Sequence, residues 1–119
     1  MINNKNFIAG KYSGLGVETM YSTNPASSER ISGDFNIATS EEIQTSVDSA
    51  FEAWKTYKNI SGAVKAAFLR SIADEIEGLG DKLVHRAMEE SGLPEGRIKG
   101  ERGRTCGQLR AFSQHVEEG

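Results

Sequence analysis

The chain has 119 residues, 37% hydrophobic and 26% charged, and its 14 Lys and Arg against 17 Asp and Glu give a formal charge of −3. That length suits one domain or part of a larger one. The interspersed signs exclude both the basic footprint of a nucleic-acid binder and a basic membrane-surface helix. The one cysteine, Cys106, excludes an internal disulfide and a cysteine-rich zinc site and fits a reducing compartment. Met1-Ile2-Asn3-Asn4 leads into no apolar run long enough for a signal peptide or a membrane span, so a cytoplasmic protein is expected.

The first third reads as strands and turns. Asn6 to Tyr12 is a short apolar run carrying Gly10, punctuated by Ser13-Gly14-Leu15-Gly16. Val17 to Ser22, rich in β-branched and aromatic residues, predicts a second strand. Asn24-Pro25-Ala26-Ser27-Ser28 is turn chemistry, because proline presets φ and Asn and Ser side chains bond nearby backbone. Arg30 to Ala38 predicts a third strand, weakened by Gly33-Asp34.

Helical periodicity governs the rest. Thr39-Ser40-Glu41-Glu42 is a capping box in which Thr39 accepts from the Glu42 amide and Glu42 reaches back. Ile43, Val47, Ala50, Phe51 and Trp54 then form one apolar stripe, predicting a helix from Ser40 to about Tyr57. Ser61 caps the next helix, whose stripe is Val64, Phe68, Ile72, Ile76 and Leu79. Asp81 is the expected cap of a short continuation through Leu83, Val84, Ala87 and Met88, and Ser91-Gly92-Leu93-Pro94 stops it.

The segment from Glu95 to Gly119 is different. Ile98, Thr105, Leu109, Phe112 and Val116 share one helical face, and Gly96, Gly100, Gly103 and Gly107 share another. Interior glycines cost a helix about 1 kcal/mol each relative to alanine. The pattern therefore marks either a close approach of another backbone or bound molecule, or an irregular tail. Beside the glycines, Arg97, Arg104, Gln108 and His115 lie within a narrow arc at 100° per residue. That row either presents donors to a carboxylate, for which guanidinium geometry is suited, or simply faces water.

No catalytic constellation accompanies these elements. Cys106 has no cationic partner fixed by spacing and reads as a small buried hydrophobe. His85 and His115 lack an i+4 histidine for a metal, and neither GxGxxG after a strand nor GxxxxGK[ST] occurs. The residue pattern alone describes an α+β module: a strand and turn segment over 1–38, then a helical segment of three to four helices over 39–119.

The order of motifs resembles the amino-terminal region of the aldehyde dehydrogenase superfamily. Phe7-Ile8-Ala9-Gly10-Lys11-Tyr12 is similar to its opening I-x-G-x-W/Y strand, and Tyr21-Ser22-Thr23-Asn24-Pro25-Ala26 to its x-x-N-P-A-T turn. Ala50-Phe51-Glu52-Ala53-Trp54 resembles its A-x-x-A-F-x-x-W helix in part, and Arg70 to Ile76 its L-x-x-I-A-D-x-I-E helix. Glu89 to Pro94 is similar to the E-x-G-K-P helix end, with Leu93 where lysine is common. Leu93, with Gly100-Glu101-Arg102-Gly103-Arg104-Thr105 and Gly107-Gln108-Leu109-Arg110, resembles the branch that oxidises 2-oxoglutarate semialdehyde.

The resemblance implies part of an α/β, Rossmann-like cofactor-binding domain within a longer enzyme that uses NAD or NADP. In such enzymes a cysteine attacks the aldehyde, hydride passes to the nicotinamide and a glutamate-activated water releases the acid. None of those parts has a counterpart here, so this chain alone is expected to bind no cofactor and to be inactive. Cys106 is not that nucleophile: it precedes Gly107-Gln108, whereas the family cysteine follows its Gly-Gln pair. The resemblance places Arg104 on the tunnel wall, where it is expected to hold the distal carboxylate of a semialdehyde acid, and Gln108, on the same helical stripe, is expected to join it in substrate binding. The partners it implies are a small aldehyde and copies of the same protein, with no nucleic acid or membrane. Two other readings stay open: a non-catalytic helical module that associates with itself or a partner, and an inert gene remnant.

Overall fold

A computed structural model describes residues 2–119. Two antiparallel pairs precede four helices: β1 (Asn6–Ile8) with β2 (Lys11–Ser13), β3 (Thr19–Met20) with β4 (Phe35–Asn36), then α1 (Ser40–Tyr57), α2 (Gly62–Gly78), α3 (Gly80–Ser91) and α4 (Glu95–Glu118). This is the α+β composition expected. The chain forms two compact units: one takes in Ser28–Asn59 with the described residues up to Thr23, the other Asn24–Ser27 with Ile60–Gly119.

In the first unit, the run read as one strand is a hairpin. Ile8 pairs with Lys11, and the two residues between them, Ala9 and Gly10, both have positive φ (51° and 78°). Positive φ at both central positions is the I′ geometry whose twist matches a two-residue hairpin. Of the stretch expected as a third strand, only Phe35–Asn36 pairs in β4, while Arg30 makes an isolated bridge to Thr23. Gly33 at φ 115° breaks the strand between them.

The capping box of α1 forms as read. Thr39 accepts from the Glu42 amide at 3.2 Å, and the Thr39 amide donates to Glu42 Oε2 at 2.9 Å. Glu42 does more than cap, because the Ser13 hydroxyl and the Leu15 amide both donate to its Oε1. These donors hold the Glu42 carboxyl down to about 2, the Ser13 hydrogen bond contributing most. Buried carboxylates persist where donors replace water in this way. Glu42 is the one buried residue of α1; Ile43, Val47, Phe51 and Trp54 are exposed.

In the second unit, α2 packs along α4 through small residues. Ala66 and Ala73 of α2 and Cys106 and Ser113 of α4 are buried, with Val84 of α3. At Gly62 a Cβ would lie 2.2 Å from the Val116 carbonyl oxygen, so the first turn of α2 and the last of α4 meet backbone to backbone. The large stripe of α2 is not the packed face: Val64, Phe68 and Leu79 are more than half exposed. The α4 face is likewise rotated from the expected one. Thr105 and Phe112 are exposed, and Cys106 and Ser113 point inward beside Leu109.

Local stops follow the chemistry with one correction. Ser61 caps α2, accepting from the Val64 amide at 3.3 Å. Gly92 closes α3 in the left-handed region at φ 70°. Asp81 does not cap α3: that helix begins at Gly80, directly from the end of α2, with no side-chain cap. Gly80 at φ 58° makes the break, and Asp81 lies in the first turn, where its charge complements the helix dipole.

Candidate functional site on helix α4

Despite its four glycines, α4 runs unbroken for 24 residues, which removes the irregular-tail reading. Its opposite face supplies the compensation. Cys106 is fully buried and its thiol approaches the Ala73 carbonyl oxygen at 3.6 Å, the small-hydrophobe role expected of it. The Arg110 guanidinium reaches Glu77 Oε1 and Oε2 and Asp74 Oδ1, each at 2.8 Å. That pairing holds the Glu77 carboxyl below its ordinary value and the guanidinium further above its own. Arg70 pairs with Glu117 near the helix end, and Arg102 donates to the Gly80 carbonyl at 3.1 Å across the α2–α3 break. Water screens exposed ion pairs such as these, so the close α2–α4 contact stabilises the helix more than they do. The Asp74, Glu77 and Arg110 cluster was not singled out from the sequence, although two acids three apart on α2 are the spacing that lets one guanidinium serve both.

The outer face of α4 is open. A Cβ placed at Gly96, Gly100, Gly103 or Gly107 would meet nothing within 4 Å beyond its chain neighbours and the adjoining backbone of α4 itself. The close approach that the glycine ladder suggested is therefore absent among the described residues, and the closest approaches to a glycine lie elsewhere, at Gly62, Gly16 and Gly14. Along that open face, Arg104, Gln108 and His115 are exposed. Arg97 is tied to Glu101 at 2.7 Å. Of the four arginines on α4, Arg104 alone has no hydrogen-bond or ion-pair partner among the described residues, whereas Arg97, Arg102 and Arg110 are each engaged. An uncommitted guanidinium beside a strip with no side chains can take a carboxylate in a fork without first breaking another pair. One helical turn on from Arg104, Gln108 adds an amide donor.

A dinucleotide does not fit the residues of this chain. All strand pairing among the described residues is antiparallel, so no parallel strand feeds a phosphate turn at a helix start. The start of α1 is already occupied by the carboxylate of Glu42. No cluster of His, Cys, Asp or Glu among the described residues could hold a metal ion. No described helix is long and apolar enough to cross a membrane.

The aldehyde dehydrogenase family profile matches residues 13–118. The chain belongs to the aldehyde dehydrogenase family. Over 102 residues it is 42% identical to alpha-ketoglutaric semialdehyde dehydrogenase 2 of Azospirillum brasilense, covering 85% of this chain and 19% of that protein. To alpha-ketoglutaric semialdehyde dehydrogenase of Acinetobacter baylyi it is 36% identical, covering 98% and 22%. The chain thus spans about a fifth of the length of the curated relatives it matches. Among solved structures, an NAD-dependent benzaldehyde dehydrogenase from Corynebacterium glutamicum superposes with a TM-score of 0.86 at 17% identity, over 95% of this chain and 25% of that one. A betaine aldehyde dehydrogenase from Staphylococcus aureus in complex with NAD+ gives 0.88 at 16% identity, over 98% and 24%. The two short sheets and four helices are therefore an aldehyde dehydrogenase amino-terminal region, as the motif order indicated.

Proposed function

We propose that this chain is the leading portion of an aldehyde dehydrogenase that oxidises a semialdehyde acid of the 2-oxoglutarate semialdehyde type to the carboxylic acid with NAD+ or NADP+. Its contribution is scaffold and one wall of the substrate tunnel, with no turnover by itself. The supporting observation is the 42% and 36% identity to two alpha-ketoglutaric semialdehyde dehydrogenases, together with a face of α4 that presents an unengaged Arg104. In this reading Arg104 pairs with the distal carboxylate of the substrate, Gln108 donates beside it, and the glycine ladder leaves room for the chain between carboxylate and aldehyde. The bound nicotinamide supplies hydride acceptance and is held by other parts of the enzyme. The protein is cytoplasmic and assembles as a homo-oligomer.

The test is an assay of the protein made from the whole reading frame, with NAD+ and NADP+, on acid-bearing semialdehydes and on neutral aldehydes of similar length. The expected result is a clear preference for the acid-bearing substrates, with no turnover by the 119-residue chain. Equal use of both substrate classes would contradict the assignment.

A further inference from the structure

The freedom of Arg104 depends on where one neighbouring carboxylate goes. On a helix a charged side chain meets those three and four residues away. For Arg104 these are Gly100, Glu101, Gly107 and Gln108. Two carry no side chain and one is a neutral amide, so Glu101 is the one acid of α4 at helical spacing from that guanidinium. The other acids of the helix are engaged elsewhere: Glu95 with Lys99 at 2.6 Å, Glu117 with Arg70, and Glu118 with the Gln114 amide at 2.9 Å.

Glu101 lies three residues before Arg104 and four after Arg97, so a single carboxylate has two guanidinium groups to choose from. It takes Arg97, at 2.7 Å. An acid that precedes its cation along the helix is the favoured order, because both charges then complement the helix dipole. Glu101 with Arg104 has that order, and Glu101 with Arg97 has the reverse. Without Arg97, Arg104 is the favourable partner left at helical spacing from Glu101.

We propose that Arg97 is a positioning residue for substrate specificity: by holding the Glu101 carboxylate, it keeps the Arg104 guanidinium open for the carboxylate of the substrate. The inference rests on the proposed role of Arg104 and extends it to two residues that do not themselves touch the substrate. With Glu101 on Arg104, an acid-bearing substrate must displace one carboxylate to place another. A neutral aldehyde meets no such competition.

The experiment measures KM and kcat of the protein made from the whole reading frame, on an acid-bearing semialdehyde and a neutral aldehyde of the same length. Arg97→Met is expected to raise KM for the acid about threefold to fivefold, the range a surface ion pair accounts for, with kcat unchanged. KM for the neutral aldehyde moves far less. Adding Glu101→Gln to Arg97→Met returns the acid KM to its wild-type value. Arg97→Lys, which keeps a cation four residues before Glu101, retains that value. An acid KM that stays raised after Glu101 is neutralised would give Arg97 a structural role instead and overturn the proposal. On an Arg104→Met background Arg97→Met adds nothing, because its effect runs through Arg104. Additive losses there would mark a long-range charge effect and also overturn the proposal. An unchanged acid KM in Arg97→Met, with Arg104→Met impaired, overturns it while leaving the role of Arg104 standing. No loss in Arg104→Met removes the role of Arg104 itself, and this proposal with it.

Discussion

Helices α1 and α2 look alike as sequence and differ as structure. Each carries a stripe of large apolar residues at helical spacing, and each leaves most of that stripe exposed. Yet α2 is firmly packed, because Gly62, Ala66 and Ala73 let the α4 backbone come close, whereas on α1 Glu42 is the one buried residue. Small residues permit the dense contact on which dispersion depends, while the large ones remain available for a further layer. Size and hydrophobicity thus tell which surfaces will be covered somewhere; they do not tell which are covered first.

The largest expected effect tests the tight end of that contrast. Gly62→Ala places a methyl against the Val116 carbonyl and is expected to cost about 3 kcal/mol or more in urea denaturation, at the upper end of overpacking penalties. Next, Ala73→Leu forces bulk between α2 and α4, where Ala73 is fully buried, for an expected loss of about 1–3 kcal/mol. A wild-type denaturation midpoint in either variant would show that the close α2–α4 contact has been misjudged.

Glu42 gives a smaller effect that depends on pH. Its carboxyl is depressed from 4.5 to about 2 in the fold, so the carboxylate binds fewer protons folded than unfolded. The stabilisation is therefore fully present above about 4.5 and is lost as pH falls towards 2. Glu42→Gln should flatten this acid limb of the stability curve and lower stability at neutral pH, as followed by thermal melts across the range. The smallest effect belongs to the open face: Phe51→Ser in the 119-residue chain should shift stability by no more than about 0.5 kcal/mol, as for surface positions generally.

Local chemistry made much of this fold legible. The Thr39 and Glu42 capping box, the Ser61 cap, and Gly92 followed by Pro94 each involve residues within a few positions of one another, and each forms as read. The features that escaped depend on distant partners or on backbone choice. Ala9 adopts φ 51° because a two-residue hairpin demands it, not because alanine signals a turn. Asp81 had the right chemistry for a cap, but α2 runs to Gly78 and the chain re-enters a helix at Gly80 with no extended residue between them. The inward turn of Cys106 and Ser113 follows from the approach of Ala66 and Ala73, which periodicity within α4 does not encode. Arg104 and Gln108 were legible as members of a row; that Arg104 is the arginine of α4 left unengaged emerged only once Arg97, Arg102 and Arg110 had found their partners.

Arg104→Met in the protein from the whole reading frame puts the proposed role of that side chain to the most direct test. With KM and kcat measured on an acid-bearing semialdehyde and on a neutral aldehyde of the same length, kcat/KM for the acid should fall about tenfold to a hundredfold, chiefly through KM, as expected for one lost charge-assisted hydrogen-bonded pair. The neutral aldehyde should be nearly unaffected. Equal losses on both substrates, or none on either, would contradict the assignment of Arg104 to the substrate carboxylate.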